Sequence, residues 1–268
     1  MKFIKILLSV SLFASCASGK EKIYTGSTPT GIVVRSFLGI PLSDSIDFCR
    51  WKLFLDDDKY RLECNYGISK PNTNGFMNGG KKIEIGGILK KDKSIYQLAY
   101  GNKILKLAEL NADLLHLLDN GNQMLVGNDG WSYTLSNTTP AKTGQANIVA
   151  TRTVLKDSMA FTGRTPCPGI DDRSNCYKLK WTVVLYADAK TNQPAGCRIR
   201  GTINEHIPKT GAWKIITAKD GKIIYQLNIE NRKPIYLVKM DENILVFTDA
   251  DGKLLVGNED FSYTLNRK

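Results

Sequence analysis

Apolar and polar residues alternate along much of the chain in short runs broken by Gly, Asn and Asp. Trp51 to Leu55, Tyr60 to Tyr66, Ile83 to Leu89 and Ile95 to Tyr100 each carry the period-two pattern of a half-buried β-strand. Asp119-Asn-Gly121 and Asp249-Ala-Asp-Gly252 supply the Asx-Gly chemistry of tight hairpin turns. One stretch departs from this rhythm. Leu105 to Leu118, read alone, has the spacing of an amphipathic helix stopped by Gly121.

An internal duplication settles that stretch. Leu125-Val-Gly-Asn-Asp-Gly-Trp-Ser-Tyr-Thr-Leu135 returns as Leu255-Val-Gly-Asn-Glu-Asp-Phe-Ser-Tyr-Thr-Leu265, with eight of eleven positions identical. Ile95-Tyr-Gln-Leu98 returns as Ile224-Tyr-Gln-Leu227. Further upstream, Phe37-Leu-Gly39 is matched to Phe161-Thr-Gly163, and Cys49 and Cys64 to Cys176 and Cys197. The counterpart of Leu105–Leu118 runs from Ile235 to Thr248, is rich in β-branched and aromatic residues, and holds an Asp-Glu-Asn turn. Related copies share one fold, so both segments are expected as strand–turn–strand. Each copy has the size of a small domain and not of a solenoid repeat. The expected organisation is a β-domain over residues 31–136, a linker over 137–152 rich in Thr, Asn, Gly and Ala, and a second β-domain over 153–268. All-β domains of this size close into barrels or stack as sandwiches to protect their edges, and the pattern alone does not choose.

The start of the chain has a different character. Met1-Lys-Phe-Ile-Lys5 precedes the apolar run Ile6 to Phe13, then Ala14, Ser15 and Cys16. A charged start, a short apolar core and small residues are the parts of a secretory leader, too short to span a bilayer. Phe13-Ala14-Ser15-Cys16 resembles the bacterial lipobox, which implies a signal peptide over 1–15, acylation of Cys16 and a tether over 16–30. The alternative is an ordinary leader that ends by chance on a cysteine. Multiple acyl chains on one residue suffice for stable membrane anchoring. The absence of Asp after Cys16 resembles the signal for release to the Gram-negative outer membrane.

Charge adds little to this. The chain carries 37 Lys+Arg and 26 Asp+Glu, and loss of Lys2 and Lys5 with the leader leaves 35 against 26, a balance of +9. Such a surface suits anionic headgroups or is simply solvated. The dispersed lysines form no basic stripe, so nucleic acid is not an expected partner.

The ending Ile235-Tyr-Leu-Val-Lys-Met-Asp-Glu-Asn-Ile-Leu-Val-Phe-Thr-Asp-Ala-Asp-Gly-Lys-Leu-Leu-Val-Gly257, then Tyr263-Thr-Leu265, and the opening Phe161-Thr-Gly-Arg-Thr-Pro-Cys-Pro-Gly-Ile170 of the second copy resemble the NlpE N-terminal domain family. That resemblance covers 159–268 well and 33–136 faintly. It implies two tandem small antiparallel β-barrels of lipocalin-like form, outer-membrane anchoring, a role in copper homeostasis or envelope-stress sensing, and an envelope protein as partner. The family's Cys-x-x-Cys, which suits a soft ion such as Cu(I), is absent. Cys167 is followed nine residues later by Cys176, and Ile40-Pro-Leu-Ser43 has no cysteine at the place matched to it.

With Cys16 assigned to lipid, five cysteines remain in a compartment where they can pair. Cys49–Cys64 and Cys176–Cys197 are expected as hairpin staples, leaving Cys167 as the odd thiol. The alternative joins Cys167 to Cys176 as a redox or weak metal pair. His116 and His206 do not align and suggest no shared site, and the Asp56-Asp57-Asp58 run is expected as a plain turn. The scattered Met77, Met124, Met159 and Met240 are expected as packing residues. Trp131 and Phe261 are expected to fill the two barrel interiors; the alternative is an aromatic wall for a ligand. No nucleophile elbow, phosphate-binding glycine loop or His/Glu metal motif is present, and the chain is expected to be a non-enzyme. Three functions remain open: a sensing or structural lipoprotein, a carrier of a small apolar ligand, and a thiol-based metal module.

Overall fold

In strand β3 (Lys59–Gly67), Tyr60, Leu62, Cys64 and Tyr66 are buried while Arg61, Glu63 and Asn65 face outward. This alternation, repeated from strand to strand, closes the sheet on itself. The computed structural model describes residues 21–140, 146–147, 155, 157–170, 176–201, 208–218 and 220–268. The first unit contains β1 (Lys22–Pro29), helix α1 (Ile32–Leu38), β2 (Phe48–Leu55), β3, β4 (Lys81–Asp92), β5 (Ile95–Tyr100), β6 (Lys103–Asn111), β7 (Leu114–Leu118) and β8 (Thr134–Asn137). The second contains β9 (Ser158–Thr165), β10 (Leu179–Ala187), β11 (Pro194–Gly201), β12 (Lys209–Thr217), β13 (Ile223–Ile229), β14 (Ile235–Lys239), β15 (Ile244–Thr248) and β16 (Thr264–Arg267). Each set of eight antiparallel strands forms a closed barrel, which decides between barrel and sandwich.

Closure needs a tight crossing of first and last strands. A methyl group on Gly26 would lie 2.9 Å from the Thr134 carbonyl oxygen, and one on Gly163 would lie 2.7 Å from that of Thr264, so only glycine admits the approach. Nearby, the Trp51 indole donates to the Thr28 hydroxyl at 2.8 Å, and Trp181 donates to Thr165 at 2.9 Å. These pairs correct the upstream alignment. Tyr24-Thr-Gly26 is the counterpart of Phe161-Thr-Gly163, whereas Phe37-Leu-Gly39 ends α1. The place matching Cys167 is therefore the Pro29–Gly31 turn and not Ile40–Ser43. The expected tether over 16–30 is corrected too, because Lys22–Pro29 is a barrel strand. Its sequence hides this: Ser27 and Thr28 are polar yet buried, each holding a hydrogen bond. The expected signal peptide over 1–15, Cys16 and most of the expected linker over 137–152 lie outside the described residues.

The interiors are filled by the strands' own side chains. Tyr24, Trp51, Leu53, Leu62, Leu98, Leu107, Leu117 and Leu135 are at most 1% exposed in the first barrel. Phe161, Trp181, Val183, Leu185, Tyr225, Leu237 and Phe247 are at most 3% exposed in the second. Eight strands enclose a space that side chains of this size can fill.

A third apolar cluster lies between the barrels and is built from equivalent residues of both: Ala108 with Val238, Leu110 with Met240, Leu114 with Ile244, and Met124 with Leu254. The sequence left open whether the domains share an interface; they are fused along one. It explains the misleading segment at Leu105–Leu118, which forms β6 and β7 as the duplication required. Every residue of β7 is buried, because Leu115 and Leu117 face the barrel interior while Leu114, His116 and Leu118 face the seam. A strand buried on both faces loses its alternation and reads as a continuous apolar run.

Candidate functional site: the lid end of the seam

The seam obeys an approximate two-fold. Ser132 Oγ meets its own counterpart Ser262 Oγ at 2.6 Å, and Thr134 Oγ1 meets Thr264 Oγ1 at 2.9 Å. The Gly127 amide donates to Asn266 Oδ1 at 2.7 Å, and its counterpart Gly257 donates to Ser136 Oγ at 3.0 Å. A self-complementary contact of this kind is what an isologous dimer interface has, here within one chain. The self-pairs place β8 and β16 side by side in the same direction. In each barrel the last strand runs antiparallel to the first, with Tyr24 opposite Asn137 and Thr162 opposite Asn266. The segments that follow β1 and β9 therefore emerge at one common end, and Lys22 begins β1 at the opposite end.

Those segments are lids. In the first barrel the Gly31 amide bonds the Tyr133 hydroxyl, and Val34, Phe37 and Leu38 of α1 are buried against the core. In the second, the hydroxyl of Tyr263, the counterpart of Tyr133, donates to the Pro168 carbonyl. That lid is closed by a disulfide between Cys167 and Cys176, with Cα atoms 5.8 Å apart. The expected Cys176–Cys197 staple is not formed. Cys197 is free and buried, opposite Leu185 in the hairpin and at the place of Tyr60 in the first barrel, and burial pushes its thiol up to about 11. Cys49 and Cys64 are both free inside the first barrel. They sit diagonally, since Cys49 faces Tyr66 and Cys64 faces Trp51. Their mutual hydrogen bond, and then burial, raise the Cys64 thiol well above its usual range.

Trp131 and Phe261 do not fill the interiors. They lie outside the barrels at the lid end of the seam, where Phe76, Phe48 and Trp131 stack in sequence with centroid spacings of 4.2 and 4.6 Å. Phe261 packs edge-on against Tyr177. Between these two aromatic groups sits Asp260, whose carboxylate accepts from Arg50, from Asn74 Nδ2 at 2.5 Å and from the Tyr177 hydroxyl at 3.3 Å. Arg164 lies 5.6 Å from the Trp131 ring centroid and Lys178 lies 5.6 Å from that of Phe261. Desolvation first, and then the charges of Arg164 and Lys180, lower the Lys178 ammonium from its ordinary value. Apart from Phe76, Tyr177 and Lys180, these residues, with Ser69 and Thr73, line a cavity of about 40 Å³.

Two larger depressions lie on the first barrel. One of about 440 Å³ is framed at the lid end by Ile46, Tyr66, Ile68, Met77 and Lys81. Another of about 510 Å³ runs along the outer wall, where Arg50, Lys52 and Lys82 interleave with Glu63, Glu84 and Glu259.

His116 is fully buried on the seam, with Nδ1 at 2.9 Å from Thr134 Oγ1 and Nε2 at 2.9 Å from the Leu125 carbonyl oxygen. Burial lowers its pKa to about 4. His206 lies outside the described residues. Met159 and Met240 are buried, Met124 is partly so, and Met77 is 45% exposed at the lid-end depression. The Asp56–Asp58 run forms the β2–β3 turn, where the Asp56 amide donates to the Lys59 carbonyl. Among the described residues no three His, Cys, Asp or Glu side chains converge as metal ligands. With Cys167 and Cys176 joined, neither offers a thiolate in this state.

Sequence reasoning missed Arg50, Asp260, Arg164 and Lys178. The signal was present in the duplication. The three positions at which the eleven-residue repeat diverges, 129/259, 130/260 and 131/261, all lie at this end of the seam.

Fold and site together define an all-β protein of two fused eight-stranded barrels with an asymmetric polar centre at one end of an approximately two-fold seam. No family model, curated protein or solved structure matches the chain.

Proposed function

We propose that the chain is a non-enzymatic, lipid-anchored protein of the cell envelope that works by binding a partner with its lid face, in the manner of an NlpE-like sensing or structural lipoprotein. The observation that carries this reading is the polarity of the pair. Both lids and the asymmetric polar centre lie at one end, and the chain enters β1 at the other. Anchoring through Cys16 at the outer membrane then directs the lid face away from the bilayer, since six residues from Cys16 to Lys22 reach at most ~20 Å. The disulfide that closes the second lid suits an oxidising compartment. The filled interiors favour a rigid binding scaffold over a carrier of apolar ligands, and the paired sulfurs weaken the Cu(I) reading.

Mass analysis of the mature N-terminal peptide tests the anchor: an acylated Cys16 is expected, and release of a Cys16→Ala variant into the soluble fraction accompanies it. An unmodified N-terminus overturns it. Deletion of the gene is expected to change copper tolerance or an envelope-stress reporter, and an unchanged response to both removes the sensing role.

A further inference from the structure

At the lid end of the seam, three cations face one carboxylate. Asp260 is already committed to Arg50, Asn74 and Tyr177. Among the described residues, Arg164 and Lys178 have no ion pair, and Lys180 stands directly opposite Arg164 in the β9–β10 register, adding a further like charge. Both side chains are half-buried, so water screens their repulsion less than on an open surface. Phe48, Trp131 and Phe261 wall the space with aromatic surface. A partly enclosed cleft lined by one sign of charge concentrates counter-ions. The two-fold does not extend to this cluster, because the counterparts of Asp260 and Arg164 are Gly130 and Ser27.

We propose that this cavity binds a phosphoryl group, held between the Arg164 guanidinium and the Lys178 ammonium, with the Ser69 hydroxyl as a neutral donor. Two uncompensated cations match a phosphate dianion better than a single carboxylate. Arg presents a planar fork that fits two phosphate oxygens, and Lys supplies a point charge. The volume, about 40 Å³, takes roughly three water-sized oxygens, enough for the oxyanion and not for a larger ligand. The rest of a phosphomonoester would lie over the part-exposed edge of Trp131. Because β1 starts from the opposite end, we assign the phosphate to a soluble source and not to the headgroups of the anchoring membrane. The site stands whether or not Cys16 is acylated.

The test is calorimetric titration of the mature protein at low ionic strength with inorganic phosphate, with glycerol phosphate, and with vesicles containing phosphatidylglycerol. The expected result is saturable binding of both soluble phosphates. Arg164→Gln and Lys178→Gln each weaken it about tenfold, the effect of losing one charged hydrogen bond. Lys178→Arg retains it, and Lys90→Gln, on the exposed outer wall of β4, leaves it unchanged. Far-UV circular dichroism and the thermal midpoint of each variant show that the barrels are intact. Equal binding by wild type and the Arg164→Gln/Lys178→Gln double variant overturns the proposal, as does absence of saturable phosphate binding at millimolar concentration. Binding to vesicles without binding to either soluble phosphate overturns the assignment of the source.

Discussion

The hydroxyls of Thr134 and Thr264 meet at 2.9 Å on the seam, and His116 approaches Thr134 from the other side at the same distance. The two threonines are counterparts in the duplication, but only Thr134 has the histidine, because Val246 occupies the matching place. A symmetric contact thus carries an asymmetric network, and its two halves respond differently to substitution.

Thr264→Val removes one hydroxyl and leaves Thr134 bonded to His116. A cost of about 1 kcal/mol is expected. Thr134→Val leaves both the Thr264 hydroxyl and His116 Nδ1 without that partner in a buried setting, and about 2–3 kcal/mol is expected. Urea denaturation of both variants checks the order; equal losses would show that the histidine takes no part in the network.

The repeated Leu-Val-Gly-Asn motif has a steric origin. A methyl on Gly127 would overlap the Trp131 carbonyl oxygen and lie 2.7 Å from Ser132 Cα, and one on Gly257 would meet Phe261 and Ser262 in the same way. Both glycine amides also cross the seam as donors. Gly127→Ala and Gly257→Ala are each expected to cost at least ~1–3 kcal/mol by overpacking, with loss of a seam hydrogen bond in addition. Gly75→Ala, where the nearest atom is 3.5 Å away, serves as the tolerant control.

Closing the loop between Cys167 and Cys176 is worth about 2.5 kcal/mol in the chain-entropy account. Reduction, or Cys167→Ser, is expected to lower stability by about that amount. Peptide mapping under non-reducing conditions is expected to return the 167–176 link, with Cys49, Cys64 and Cys197 alkylated only after unfolding because all three are buried. A 176–197 link would contradict this lid.

Much of this architecture was legible in the sequence, for identifiable reasons. The strands of the first barrel alternate cleanly because one face is solvated, and Trp51–Leu55, Tyr60–Tyr66 and Ile95–Tyr100 were placed on that signal alone. The strand β7 was recovered only through its counterpart, since burial on both faces erased its period. What escaped was anything set by contact between the copies. The burial of Ser27, the outward position of Trp131 and Phe261, and the gathering of Arg50, Arg164, Lys178 and Asp260 all depend on the seam, which no local pattern encodes. The cysteine pairing was misjudged because aligning Cys49 and Cys64 with Cys176 and Cys197 ignored register; Trp51 and Trp181, each bonded to a threonine, were the better anchors.

The buried histidine makes stability depend on pH in a defined window. His116 has a folded pKa of about 4, below its ordinary value of 6.5, because burial penalises the imidazolium. The unfolded chain therefore binds the proton more readily than the folded one. Stability rises with pH wherever the unfolded state holds more protons, so this residue's effect is absent above about pH 7 and grows as the pH falls toward 4. The loss across that window is on the order of 3 kcal/mol. His116→Val, which installs the residue found at the matching place of the second barrel, lowers stability at neutral pH by leaving the Leu125 carbonyl and the Thr134 hydroxyl short of a partner. It also flattens the pH profile between 6.5 and 4 relative to wild type. Urea midpoints at pH 7.5, 6 and 4.5 for both proteins measure the difference, and parallel profiles would mean that His116 does not titrate on unfolding in this range.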